Sequence, residues 1–352
     1  QILMDASNSI KIDELKEKMY AYSSDEFEGR GTPSKGQQLA VEYLVDHYKN
    51  LGIPSVKNDS YLQGVPLQLE DKPNISLNIS NQKFVYYQDY ISYANGLDRN
   101  YESVEIIFAG YGIDDPAYSD YLNIDVKNKI VVAIGGEPLD ENENYFINGN
   151  SKSKWSNSRE EIGLKKSIAK NKGAQALILV DDYLFRRYKS RFQYSDSGRG
   201  EKRMALGNDE ENNFQVLLFS EKHKNFFSRE SLSLNMSFNK NIQSFTADNV
   251  AAIIKGSEFP NEYIILTAHL DHVLPYNGEI YNGADDNGSG TVAMLEIAES
   301  FALAKKLGKE PKRSIVFLHV TAEERGLLGS KYYADHEPLV PIKQTVANLN
   351  MD

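Results

Sequence analysis

Four short strings place imidazole or carboxylate groups directly after apolar runs. They are Ala268-His269-Leu270-Asp271-His272, Gly283-Ala284-Asp285-Asp286-Asn287-Gly288-Ser289-Gly290, Thr321-Ala322-Glu323-Glu324-Arg325-Gly326 and Asn350-Met351-Asp352. One imidazole with several carboxylates is a nitrogen and oxygen set that zinc accepts. A carboxylate can bridge two metals held roughly 3.5–4 Å apart. Without metal, crowded carboxylates repel one another and some take up protons. Two Zn²⁺ ions carry four positive charges; Asp286, Glu324 and Asp352 cancel three, and a bridging hydroxide cancels the last. Asp271, two residues beyond His269, is placed to receive the other ring N–H and set the tautomer. Of the two adjacent glutamates, one can ligate while the other takes the proton from metal-bound water. The chemistry such a set supports is metal-assisted hydrolysis of an unactivated amide.

The elements that must position these groups follow from residue periodicity. From Asn249 onward, apolar strands are expected at Ala251 to Ile254, Tyr263 to Thr267, Arg313 to Val320 and Thr345 to Met351. Helices are expected at Ser289 to Lys306, apolar on more than one side and therefore buried, and at Leu327 to Asp335. Strands alternating with helices imply an α/β fold with a mostly parallel, mixed sheet sandwiched by helices. Ligands collect at the carboxyl ends of such strands, and His269, Glu323, Glu324 and Asp352 all fall there.

Upstream, Ile12 to Ser23 reads as a short amphipathic helix. The loop Asp25-Glu26-Phe27-Glu28-Gly29-Arg30-Gly31 follows, then a helix capped by Ser34 and stopped by Gly52 and Pro54. The glycines of that loop do not make a phosphate loop, since no strand precedes them and no Lys-Ser/Thr pair follows. His47 lies on an apolar helical stripe and His319 inside an apolar strand, so both read as core residues. Between Tyr61 and Phe238, short alternating runs separated by turn residues predict a β-rich unit. It contains one helix at Ser158 to Lys172, a buried strand at Ala176 to Val180, and exposed loops at Asp140 to Asn157 and Ser195 to Asn213. Isolated acidic pairs such as those in Asp209 to Glu211 read as solvated loop ends.

Composition bounds the partners. The 352 residues predict about two domains, and 41% hydrophobic with 25% charged residues is ordinary for a globular chain. A net charge of -11 argues against nucleic acid as the main partner. No apolar run reaches membrane-span length, and with no cysteine there is neither a disulfide framework nor a thiolate metal site. The start at Gln1 reads as a processed or trimmed terminus. The Asn-X-Ser triplets at Asn58, Asn74, Asn78 and Asn235 read as chance occurrences.

Taken in order, the four strings resemble the co-catalytic dizinc exopeptidases of the bacterial leucyl aminopeptidase, aminopeptidase S and aminopeptidase Y type. Glutamate carboxypeptidase and the transferrin receptor are distant members. The resemblance implies that His269, Asp286 and Asp352 hold one zinc, and that Asp286 bridges to a second zinc also held by Glu324. It implies that Glu323 is the general base and that the Asp286–Asn287 peptide is cis; Glu323 and Asp271 are the catalytic candidates. It identifies the fold as the zinc-exopeptidase, phosphorylase/hydrolase-like type, with residues 1–65 and 246–352 forming the peptidase domain. Residues 66–245 then form an inserted protease-associated domain that helps wall the cleft. Its marks are Phe108-Ala109-Gly110-Tyr111-Gly112-Ile113, Asp125-Val126-Lys127-Asn128-Lys129-Ile130-Val131-Val132 and Lys172-Gly173-Ala174-Gln175-Ala176.

In that family a last His reaches the second zinc from further along the chain than Asp352. The second zinc site therefore lacks its expected His here, and weak or no activity is expected of these 352 residues. His272 reads as a pocket residue rather than a ligand. The expected substrates are peptide or protein termini, and the expected location is secreted or periplasmic. Aminopeptidase action is favoured over carboxypeptidase action on the likeness to bacterial relatives. A catalytically silent binding protein disagrees with the intact ligand set and Glu323, and a one-zinc glutaminyl cyclase disagrees with the inserted unit.

Overall fold

The computed structural model describes residue 6 and residues 8–57, 60–94, 98–149, 151–157, 160–197, 202–207 and 214–352. Asn58, the acidic pairs of Asp209 to Glu211 and the expected helix start at Ser158 lie outside the described residues. The chain divides into two compact units. One comprises Gln1–Gln68, Met204–Gly207 and Ser244–Asp352, and the other Leu69–Arg203 and Asn208–Gln243.

The first unit is built on a six-stranded mixed sheet. Its strand order is Arg203–Leu206, Leu62–Glu70, Ile242–Ile254, Arg313–Val320, Phe259–His269, Thr345–Asn350. Phe259–His269 runs parallel to both its neighbours, and Ile242–Ile254 runs antiparallel to Arg313–Val320. In Arg313–Val320 every residue from Ser314 to Val320 is buried, as an unbroken apolar run demands of a strand covered on both faces. Strand geometry sends alternate residues to opposite sides. Ile315 and Phe317 join one core with Leu44, Tyr48, Val292 and Leu295 of the two long helices. Val316, Leu318 and Val320 join another with Ala251, Ile265, Tyr333 and Val340.

The helix Lys35–Leu51 starts where the Ser34 hydroxyl accepts from the Gln37 N–H at 3.1 Å. It ends at Gly52, whose φ of 68° suits a residue without a side chain. The helix Gly290–Lys306 buries Val292, Met294, Leu295 and Ala298 on more than one side, as its all-round apolar pattern requires.

His319 is a core residue, as expected. It is fully buried, with Nε2 2.8 Å from the Tyr48 hydroxyl. Burial pushes its pKa down to about 3. An exposed histidine in the unfolded chain titrates near 6.5, so between these values the unfolded state binds more protons. His319 therefore costs the fold nothing above pH 6.5 and destabilises it progressively as pH falls toward 3. His47, half-buried beside Glu299 and held down to about 4 mainly by burial, acts in the same direction. His319→Gln should flatten the loss of stability between pH 6.5 and 4.5 by on the order of 1 kcal/mol per pH unit. Denaturant midpoints measured across that range check it, and an unchanged slope would remove His319 as the cause.

The second unit carries an eight-stranded sheet in the order Gln82–Phe84, Asn74–Ile79, Ser233–Asn239, Arg99–Phe108, Ile130–Ile134, Ala176–Val180, Gln215–Phe219, Tyr90–Ala94. The adjacent pairs from Arg99–Phe108 through Gln215–Phe219 are parallel, and the pairings at both ends are antiparallel.

Both long loops expected in this region need correction. Asp140 to Asn157 is not exposed throughout: Trp155 is buried, and its indole N–H donates to Asp115 Oδ2 at 3.2 Å. Ser195 does not open a loop but lies buried near the end of the helix Asp182–Asp196. That helix is capped by Asp181 Oδ1, which accepts from the Leu184 N–H at 2.6 Å. Its apolar contacts come from Leu184, Phe185, Tyr188 and Phe192, a 3–4 spacing masked by the charged residues between them. Arg203–Leu206, also expected in the loop, is the edge strand of the six-stranded sheet.

Candidate metal centre

The strand Phe259–His269 ends at His269, and its parallel neighbours end at Val320 and Asn350, just before Glu323 and Asp352. The second string forms the irregular turn Ala284–Ser289, which feeds the helix Gly290–Lys306. Within that turn the Asp286–Asn287 peptide is cis, as the resemblance implies. Backbone and side-chain bonds lock these pieces together. Met351 N–H donates to Thr267 O at 2.9 Å, and Leu270 N–H to Val320 O at 2.9 Å. Thr291 Oγ1 donates to His269 O at 2.8 Å.

Asn287 was not singled out by sequence reasoning, yet it ties two of the strings together. Its Nδ2 donates to Met351 O at 2.8 Å while its Oδ1 accepts from Gly290 N–H at 2.9 Å. Its adjacency to Asp286 was visible; its partner 64 residues later was not.

The structure brings His269, Asp286 and Asp352 into one group. His269 Nε2 lies 3.1 Å from Asp286 Oδ1, 3.2 Å from Asp352 Oδ1 and 3.9 Å from Glu323 Oε2. The imidazole is buried, while the Asp286 and Asp352 side chains are 61% and 56% exposed, so the group opens to solvent on its carboxylate side. His269 Nδ1 is 2.8 Å from the Asp271 carbonyl oxygen. A carbonyl can only accept, so Nδ1 carries the proton, and in the neutral ring Nε2 presents its lone pair. That lone pair is buried without a hydrogen-bond partner and faces two carboxylate oxygens, which are acceptors too. A cation among them resolves the conflict. The spacings also fit: ligands about 2.0–2.1 Å from a tetrahedral zinc lie roughly 3.3 Å apart.

Asp271 holds the tautomer with a different atom from the one expected. Its backbone carbonyl, not its carboxylate, receives the ring N–H. The turn after the strand brings that carbonyl back over the ring. The carboxylate points instead to the third string, where Oδ1 accepts from Glu323 N–H at 3.1 Å, and Oδ2 is buried without a partner. Complete burial pushes this carboxyl up to about 7.

The adjacent glutamates diverge. Glu323 stands beside the His269 group; burial raises its pKa, the carboxylates of Glu324, Asp352 and Asp286 add to the rise, and His269 opposes it. Glu324 belongs to a second group with Asp286 and His272. His272 Nδ1 lies 2.7 Å from Glu324 Oε1. Asp286 is thus the carboxylate common to both groups. Beside them opens a cavity of about 470 Å³, lined by His269, Glu323 and Asp352 together with apolar Ile265, Val320, Leu327 and Tyr333.

Residues 249–352 match peptidase family M28. This part of the chain is similar to that family, over less than a third of the 352 residues. It is 37% identical over 119 residues to a probable glutamate carboxypeptidase of Arabidopsis thaliana, covering 34% of this chain and 16% of that protein. It is 38% identical over 108 residues to aminopeptidase YwaD of Bacillus subtilis strain 168, covering 30% of this chain and 22% of that protein. The matches therefore span less than a quarter of each of these curated relatives. Among solved structures, an aminopeptidase from Aneurinibacillus sp. strain AM-1 aligns with 97% of this chain and 69% of its own, at 19% identity and a TM-score of 0.47. A zinc aminopeptidase from Bacillus subtilis aligns with 97% and 68%, at 18% identity and a TM-score of 0.39. Among the described residues no helix is long and apolar enough to cross a membrane.

Proposed function

We propose that the M28 domain is the catalytic part of a zinc-dependent exopeptidase, acting on the amino termini of peptides or proteins. The observation that carries this is the unpartnered Nε2 lone pair of His269, buried and facing the oxygens of Asp286 and Asp352. His269, Asp286 and Asp352 would hold one zinc; Asp286 and Glu324, with His272 beside them, would hold a second. Bound zinc supplies Lewis acidity toward a carbonyl oxygen and makes water a nucleophile near neutral pH.

The protein's own groups do the rest. Glu323 takes the proton from the attacking water and returns it to the leaving amine. Its partial burial favours the protonated form, the direction needed by a group that holds a transferred proton. Asp271 steadies Glu323 through the backbone N–H and holds His269 in the ligating tautomer. Aminopeptidase action is proposed on the likeness to aminopeptidase YwaD of Bacillus subtilis. The unit of residues 69–203 and 208–243 is proposed to be a protease-associated domain, and the protein to work outside the cytoplasm.

Zinc-loaded protein assayed with aminoacyl and carboxy-terminal chromogenic peptides tests this reading. Zinc-dependent release from aminoacyl substrates is expected, slow in these 352 residues. Release only from carboxy-terminal substrates would move the assignment to the glutamate carboxypeptidase side of the family, and failure to bind zinc would remove it.

A further inference from the structure

Among the described residues Arg30 is the largest fully buried side chain. It lies outside the residues that match the family, more than 200 positions before His269. Its guanidinium donates to four backbone carbonyls: Leu270 O from Nε at 3.2 Å, Tyr22 O and Asn282 O from Nη1 at 2.9 and 2.8 Å, and Gly283 O from Nη2 at 2.7 Å. Leu270 immediately follows the ligand His269, and Gly283 opens the turn that carries Asp286. One rigid planar fork therefore spans the two strings whose side chains meet 3.1 Å apart.

The surroundings are built around this fork. The Tyr22 ring lies 4.6 Å under the guanidinium, and its hydroxyl donates to the same Leu270 O at 2.9 Å. Asn282 is held from its other side, where Nδ2 donates to Ser23 O and Asp25 Oδ1, each at 2.8 Å. Backbone also packs on backbone. A β-carbon at Gly29 would lie 2.5 Å from Tyr281 O and 2.6 Å from Val273 O, and one at Gly31 would lie 2.5 Å from Leu274 N. The segment from Gly29 to Gly31 thus fits against the loop joining the two metal strings, with Arg30 inserted between their ends.

All four acceptors are neutral carbonyls. A buried cation without a directly paired anion is costly, so fold stability alone does not account for a charge here. Burial lowers its pKa, while Tyr22, then Asp271 and Asp286, favour the cationic form, and Asp286 is common to both metal groups.

We propose that Arg30 is a positioning residue for metal binding. It sets the spacing between His269 and Asp286, and its charge holds the acidic turn in place before a cation arrives. This rests on the zinc reading of the site. Loss of an outer partner of a metal ligand commonly costs about 10–100-fold in metal affinity, and a loss in that range is expected for Arg30→Ala.

The test is a chelator-competition measurement of zinc affinity on the 352-residue protein, with thermal melting and the absorption spectrum of the Co²⁺-loaded form. Arg30→Ala should bind zinc about 10–100-fold more weakly with a shifted Co²⁺ spectrum. Guanidinium ion at low millimolar concentration should restore much of the loss, whereas urea, which is similar in shape but uncharged, should not. Arg30→Lys, which keeps the charge but cannot reach four carbonyls, should fall between wild type and Arg30→Ala, and it decides the matter if Arg30→Ala does not fold. Folded variants with lower melting temperatures but wild-type zinc affinity and spectrum would overturn the proposal and leave Arg30 a packing residue. A wild-type protein that binds no zinc would overturn the metal reading itself, and this proposal with it.

Discussion

Glu323→Gln is expected to keep zinc binding at the wild-type level and to lower peptidase turnover by about 10²–10⁴-fold, the usual contribution of a general base. Gln keeps the shape and the backbone N–H that donates to Asp271 Oδ1, so the turn carrying Glu324 is undisturbed. What it loses is the ability to hold a proton. Glu323 Oε2 stands 3.9 Å from His269 Nε2, beyond the closer oxygens of Asp286 and Asp352. It is near enough to meet water at the group without being its nearest ligand. Metal analysis and turnover on the same preparation separate the two roles. Near-normal rates would remove Glu323 as the base, and loss of zinc would make it a ligand instead.

His269→Ala should have the larger effect on metal affinity. In the group His269, Asp286 and Asp352 the imidazole is the one nitrogen donor. Its removal leaves two carboxylates that are more than half exposed and easily satisfied by water. The loss in zinc affinity should exceed the roughly 10–100-fold that follows removal of an outer partner, while the fold survives because the ring sits at a strand end rather than in the middle of the core. Chelator competition with circular dichroism measures both. Unchanged zinc affinity in a folded His269→Ala would place the metal elsewhere, with the Asp286, Glu324 and His272 group the first alternative.

The convergence of His269, Asp286 and Asp352 was legible in sequence because each string is local. A strand that must bury an unbroken apolar run stops where a charged or ring residue needs an exit, so the residues after Ala268, Thr321 and Met351 could only fall at sheet ends. The buried helix after Ser289 was legible for the same reason: its apolar residues leave little polar face. The helix Asp182–Asp196 was not, because Arg and Lys residues interrupt the four contacts that Leu184, Phe185, Tyr188 and Phe192 make once they are folded against a sheet.

By itself, then, the chain order of residues determined which end of which strand would carry His269, Glu323, Glu324 and Asp352, while His272, set aside as a ligand, stands beside Glu324 and Asp286. Four contacts were decided only in three dimensions. They are the carbonyl of Asp271 on the His269 ring, the bond from Asn287 to Met351, the meeting of His272 with Glu324, and the guanidinium of Arg30 between Leu270 and Gly283. Each joins atoms by direction as well as distance, and three of the four accept at a backbone carbonyl, a group that every residue type carries. Residue identity holds no record of which carbonyl a turn will point inward. Only the packed sheet and its loops settle that.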